Sequence, residues 1–130
     1  MVKVLKEIQI TIWTMKDKSR KAMWAKFNLE NIKSVPHTTG HYEFHHKGKF
    51  LYVGVAGGEG NVGDLHHRLL FYNEKESQQT KLFNYLNTHK GEIMFKAVSE
   101  PIGLARQHEH KLKQHTLFNQ DNKRNIKRSR

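Results

Sequence analysis

The chain has 130 residues, 36% of them hydrophobic and only 11 Gly or Pro, which is enough for one folded domain but not for two. It contains no cysteine, which excludes disulfide frameworks, thiolate zinc sites and cysteine nucleophiles and suits a reducing cytoplasm. No apolar run approaches the roughly 20 residues of a membrane helix, and the N-terminus has no signal-peptide core. Twenty-three Lys and Arg against twelve Asp and Glu leave a charge of +11, which favours a polyanion such as nucleic acid.

Ile8, Ile10 and Ile12 alternate with polar neighbours, the pattern of a half-buried strand. Ala22 to Leu29, with Met23, Trp24 and Phe27, reads as a second strand or one turn-rich helix, the strand being favoured. Trp13 and Trp24 fit a core, with base stacking as the other use of such residues. Residues 1–35 form an N-terminal extension packed on the domain. A short helix from Asn28, its cap, to Lys33 is closed off by Pro36. Gly40 to Gly54 then reads as a β-hairpin. A three-residue loop of His46, Lys47 and Gly48 would set Phe44 against Phe50, Tyr42 against Tyr52 and Gly40 against Gly54. That register gathers two phenols beside a bare glycine pair. A two-residue loop would send the tyrosines to opposite faces.

AGGEGNVGD follows, with four glycines within residues 57–64 but no phosphate-loop spacing; it reads as a flexible connection. Asp64 caps a helix through about Asn73, burying Leu65 and Leu69 and placing Arg68 and Tyr72 on one face. A helix from Ser77, its cap, to Thr88 buries Leu82, Phe83 and Leu86, with Gly91 just past its end. Glu92 to Val98 reads as a strand with Ile93, Phe95 and Ala97 on one side. Pro101 opens a last helix to about His115, with Leu104, His108 and Leu112 at helical spacing. Residues 110–130 hold seven basic side chains and one acid, and 121–130 is a basic tail expected to be largely disordered.

Gly40-His41-Tyr42 with Tyr52-Val53-Gly54 resembles the paired signature of the GIY-YIG nuclease family. Arg68 and Tyr72 on the next helix, Glu109 on a later one and Asn119 after it follow the family's order. The resemblance covers about residues 36–120. It implies a small α/β (α+β) domain with a three-stranded antiparallel sheet flanked by helices, which the N-terminal extension would widen. It also implies a divalent-metal-dependent DNA endonuclease that leaves 5′-phosphate and 3′-hydroxyl ends. His41 stands where the family carries an aliphatic residue, so that face is expected to be less buried or to contact DNA. The stretch from Tyr52 to Arg68 is longer than usual.

Each residue type suits phosphodiester hydrolysis. Glu109 is a hard oxygen ligand for one Mg²⁺ or Mn²⁺. Arg68 can fork onto phosphate oxygens without losing its charge. One of the phenols, Tyr42 or Tyr52, would activate water, with Tyr72 aligning it and Asn119 holding the site or contacting the backbone. Double-stranded DNA is the expected partner of a monomer or dimer, gripped by Lys47, Lys49, His67, Lys111, Lys113, Lys123, Arg124, Lys127 and Arg128. The alternative is a catalytically inactive nucleic-acid-binding module of the same fold; a basic structural protein of a nucleoprotein particle ranks below it. Ten histidines raise zinc as a rival. However, His45-His46 and His66-His67 are adjacent and His108-x-His110 diverges on a helix, so none of these pairs chelates by itself.

Overall fold

The structure, a computed structural model, describes residues 21–74 and 80–119. Four strands form one antiparallel sheet: β1 (Lys21–Lys26), β2 (Gly40–His46), β3 (Lys49–Ala56) and β4 (Met94–Ser99), in the order β1-β4-β2-β3. The sheet thus has four strands rather than the three expected of the core domain. The added one, β1, comes from the N-terminal extension and pairs along β4. The alternation of Ile8, Ile10 and Ile12, Trp13, and the basic residues Lys123, Arg124, Lys127 and Arg128 lie outside the described residues.

Among the described residues there are four helices: α1 (Leu29–Ile32), α2 (Leu65–Glu74), α3 (Lys81–Thr88) and α4 (Ile102–Leu112), the last running into a short 3-10 turn at Lys113–His115. Local chemistry sets their ends. Asn28 caps α1 by accepting from the Asn31 amide at 2.8 Å, and Asp64 caps α2 by accepting from the His67 amide at 2.9 Å. The cap of α3 is Thr80, whose hydroxyl accepts from Phe83 at 3.2 Å, in place of the expected Ser77, which is not among the described residues. Gly91 takes φ 95° beyond α3, a left-handed conformation that glycine adopts without penalty.

Period-two alternation divides the sheet into two faces. On one, Met23, Ala25, Tyr42, Phe44, Phe95 and Ala97 pack under Leu65 and Leu69 of α2 and Leu82 and Leu86 of α3. Full burial of an aliphatic or aromatic side chain there contributes about 1.5–3 kcal/mol. On the other face stand Trp24, His41, Glu43, His45, Lys96 and Val98. Trp24 is half-buried beside the His45 ring, outside the main core. The α4 helix packs on β2 and β3 and brings the His108 ring to 5.1 Å from that of His41. Its buried centre is Ala105, with Leu104, His108 and Leu112 half-buried around it.

The hairpin corrects the expected register. Its turn is the two-residue Lys47-Gly48, with φ 49° and 82°, the paired positive values that suit twisted hairpins. A two-residue turn alone would split Tyr42 and Tyr52 between faces. A β-bulge prevents this: His45 pairs with Phe50 but Phe44 pairs with Tyr52, leaving Leu51 as the extra residue. Beyond the bulge Tyr42 faces Gly54 and Gly40 faces Ala56, so no glycine pair is left open. Both tyrosines share the core face, one step diagonal to each other.

The glycine-rich loop is tied down rather than loose. Gly58 donates to Gly63 O at 3.2 Å, Gly60 to His37 O at 3.1 Å, and Asn61 Oδ1 accepts from Gly63 at 2.9 Å. Among the described residues no helix is long and apolar enough to cross a membrane.

Candidate functional site

Three elements bring three phenols together. Tyr42 on β2 is buried, whereas Tyr52 on β3 and Tyr72 on α2 are half-buried. Tyr42 Oη donates to Tyr72 Oη at 3.3 Å, and Tyr72 is also hydrogen-bonded to Tyr52. The ring centroids lie 5.7 Å (Tyr42–Tyr72), 6.2 Å (Tyr52–Tyr72) and 6.3 Å (Tyr42–Tyr52) apart. Tyr72 is held from behind by stacking on Phe83 of α3. Gly54 is needed opposite Tyr42, because a Cβ there would run into the phenol ring.

Burial pushes the Tyr42 phenol well above its ordinary pKa, and the neighbouring Tyr52 and Glu109 add to that, against the Tyr72 hydrogen bond and the charge of Arg68. Tyr72 is raised for the same first reason, burial, and by its neighbour Tyr42, with Arg68 again opposing. Both phenols therefore stay protonated at neutral pH. Arg68 on α2 is exposed and Glu109 on α4 is half-buried; both act electrostatically on Tyr42. Three phenols thus come together from β2, β3 and α2, with Arg68 of α2 and Glu109 of α4 close enough to act on Tyr42 electrostatically.

Asn119 does not join the phenols. Its Oδ1 accepts from the Val53 amide at 2.8 Å and its Nδ2 donates to Val53 O at 2.9 Å, clasping the backbone between Tyr52 and Gly54. Leu117 and Phe118 donate to Phe50 O and Leu51 O at 3.0 and 2.9 Å, so the segment pairs along the outer edge of β3 and covers it. Thr116 fixes the approach by accepting from the Asn119 amide at 3.3 Å.

Of the expected phosphate-contacting residues, Lys47, Lys49 and Lys111 are exposed and Lys113 is half-buried. His67 is not an open contact, since its Nδ1 lies 2.9 Å from Asp64 Oδ1. His41 reverses expectation. It is buried between two carboxylates, with Nδ1 2.6 Å from Glu100 Oε2 and Nε2 3.0 Å from Glu43 Oε2. Burial opposes its charge, but the bonds to Glu100 and Glu43 outweigh burial and raise its pKa. Glu43 is drawn down to about 2: burial works the other way and is outweighed by His41 and His45. A ring that meets an ionised carboxylate at each nitrogen must carry both protons.

Among the described residues, three groups of side chains could hold a metal ion: His37, Asp64 and His67; His41, Glu100 and His108; and His46, His89 and Glu92. No sequential histidine pair supplies any of them. Each instead draws its members from separate elements or turns, which is why pairwise spacing missed them. One signal was present: His41, Glu43 and His45 alternate along one strand and must share a face. Glu109 belongs to none of the groups. Its carboxylate is a hard oxygen donor, which fits Mg²⁺ or Mn²⁺ rather than an imidazole-seeking ion. Comparison of the chain with protein-family models, with curated proteins and with solved structures gives no match.

Proposed function

We propose that the chain is a divalent-metal-dependent DNA endonuclease of the GIY-YIG type. The observation that carries this reading is the cluster of Tyr42, Tyr52 and Tyr72 from three separate elements, with Arg68 and Glu109 acting electrostatically on Tyr42. The Asn119 clasp on Val53 adds to it, because it fixes the backbone that presents Tyr52. Glu109 would hold one Mg²⁺ or Mn²⁺, and that ion supplies charge neutralisation at the scissile phosphate and lowers the pKa of bound water.

The remaining work belongs to side chains. Arg68, exposed and always charged, forks onto non-bridging phosphate oxygens and stabilises the charge that builds in the transition state. Tyr42, protonated and buried, donates to Tyr72 and fixes its phenol; it is an anchor rather than the base. The half-buried phenols of Tyr52 and Tyr72 are the ones able to orient the attacking water. Lys47, Lys49 and Lys111 contribute sequence-independent phosphate contacts.

The test is supercoiled plasmid incubated with the pure protein in Mg²⁺ or Mn²⁺, beside EDTA and Glu109→Gln controls. Nicked or linear product that requires both metal and Glu109 supports the reading. DNA that is bound but stays intact with every metal, or equal cutting by the Gln variant, defeats it and leaves a basic binding module.

A further inference from the structure

The most fully built polar cluster lies on the opposite face of the sheet from the tyrosines. Glu100, at the end of β4, is 3% exposed, yet its Oε2 meets His41 Nδ1 at 2.6 Å and His108 Nδ1 at 2.9 Å. Three donor atoms from β2, the β4–α4 junction and α4 therefore converge, two of them on a single oxygen. The other nitrogen of His41 is held by Glu43 Oε2 at 3.0 Å, and Glu43 is in turn fixed by His45 Nε2 at 2.9 Å and faces Lys96 Nζ at 3.9 Å. A carboxylate on the far nitrogen of a histidine is the arrangement that orients an imidazole for a metal.

The other two groups are less developed. In the first, His37 is 53% and His67 37% exposed, and they reach different oxygens of Asp64. In the other, Glu92 is 54% exposed.

We propose that His41, Glu100 and His108 form a binding site for one divalent ion of the zinc class, with Glu43 orienting His41. Two imidazoles and one carboxylate are a known donor set for zinc and leave a fourth position for water. The half-exposed side of His108 gives the ion its way in. Magnesium is disfavoured, because it avoids imidazole. Metal bonds of about 2.0–2.2 Å require the donors to spread slightly from their present separations. On binding, Nδ1 of His41 gives its proton to solvent, and His108 coordinates through Nδ1 as the neutral imidazole, with its one remaining proton on Nε2. Nε2–H of His41 keeps its bond to Glu43. The ion would link α4 to the sheet, and the inference stands whether or not the phenol site cuts DNA.

The experiment is a Co²⁺ titration of the chelator-treated full chain in excess Mg²⁺, followed by visible d–d absorption and then by Zn²⁺ displacement. One equivalent is expected, and saturation with Zn²⁺ should raise the melting temperature. His108→Ala and the gentler His108→Gln should remove both signals, while Glu43→Gln should weaken binding by about 10–100-fold. His67→Ala and His89→Ala, which break the other two groups, should leave the spectrum intact. Absence of a stoichiometric band, or a band that survives His108→Ala and His108→Gln, overturns the proposal. So does a band lost in His67→Ala or His89→Ala.

Discussion

Replacing Gly54 with alanine tests the geometry of the phenol cluster without touching a polar group. A Cβ at this position meets Cε2 of Tyr42 at 2.9 Å and comes closer still to its Cζ and Oη. The ring has nowhere to retreat, because Tyr42 is 2% exposed and packs against Phe44 and Tyr72 at centroid distances of 5.9 and 5.7 Å. Overpacking of this kind costs about 1–3 kcal/mol. For a domain of this size it should lower the melting temperature by about 4–11 °C.

Urea denaturation of five proteins separates the cause. Tyr42→Ala removes the obstacle, so adding Gly54→Ala in that background should cost less than in the wild type, with a coupling of about 0.5–3 kcal/mol. Gly57→Ala is the control, since a Cβ there meets only Ile102 Cδ1 at an ordinary 3.6 Å. It should stay within about 0.5 kcal/mol of wild type. If Gly54→Ala is equally harmless, or costs the same with and without the Tyr42 ring, the ring does not lie over Gly54 and the bulged register is wrong.

Gly103 is exposed in the first turn of α4 with nothing within 4 Å of a built Cβ, so Gly103→Ala should stabilise the chain by about 0.5–1 kcal/mol; a loss in thermal denaturation would contradict this. Asn119→Ala removes both bonds to Val53 and should cost about 1–3 kcal/mol, with faster amide exchange along β3. An unchanged exchange pattern would show the clasp to be idle. Asp64 is buried and its carboxyl is held below the ordinary value, since the His67 amide and the His67 and His37 rings outweigh burial. A depressed carboxyl contributes stability above its unfolded pKa of about 3.9 and loses it as pH falls through the folded value. Wild type should therefore exceed Asp64→Asn, which keeps the cap, by about 1.5–3 kcal/mol near neutrality. The gap should close in acid, and a gap independent of pH would refute the pairing. Arg68→Lys should cut plasmid nicking by at least about tenfold while leaving the melting temperature unchanged, because the side chain is exposed and its fork is lost. Retained activity would remove Arg68 from the proposed site.

Local signals were legible in the sequence because they act over one turn or one strand. The caps Asn28 and Asp64, the stripes of α2 and α3, and the Ile93, Phe95 and Ala97 face all follow from residues within four positions of one another. The cap at Thr80 was not read from the sequence; its hydroxyl accepts from the Phe83 amide, three positions on. The bulge at Leu51 was not legible, since no glycine or proline marks it. It arises where a two-residue turn must coexist with burial of Leu51 and with Tyr52 packed against the core. His41 was misplaced for a related reason. Its partner Glu100 lies 59 positions away and meets it only after β2 and β4 have paired.

Strand β2 has two occupations. Gly40, Tyr42 and Phe44 build the face of the phenols, while His41, Glu43 and His45 build the charged hub beneath α4. The same helix carries His108, bonded into the hub, and Glu109, which acts on Tyr42. Consecutive helix residues diverge by about 100 degrees, so seating His108 against Glu100 also fixes the direction of Glu109. Apolar packing in place of the hub would seat the helix as firmly, for a buried ion pair gives little net stability over hydrophobic residues of the same volume. What the hub adds is directionality. Nδ1 of His108 can meet Glu100 Oε2 in only one rotation of α4, whereas a greasy contact tolerates several. In the proposed reaction Glu109 is the carboxylate that holds the metal, and it gains from that restriction, which accounts for buried charge on a face that does no chemistry there.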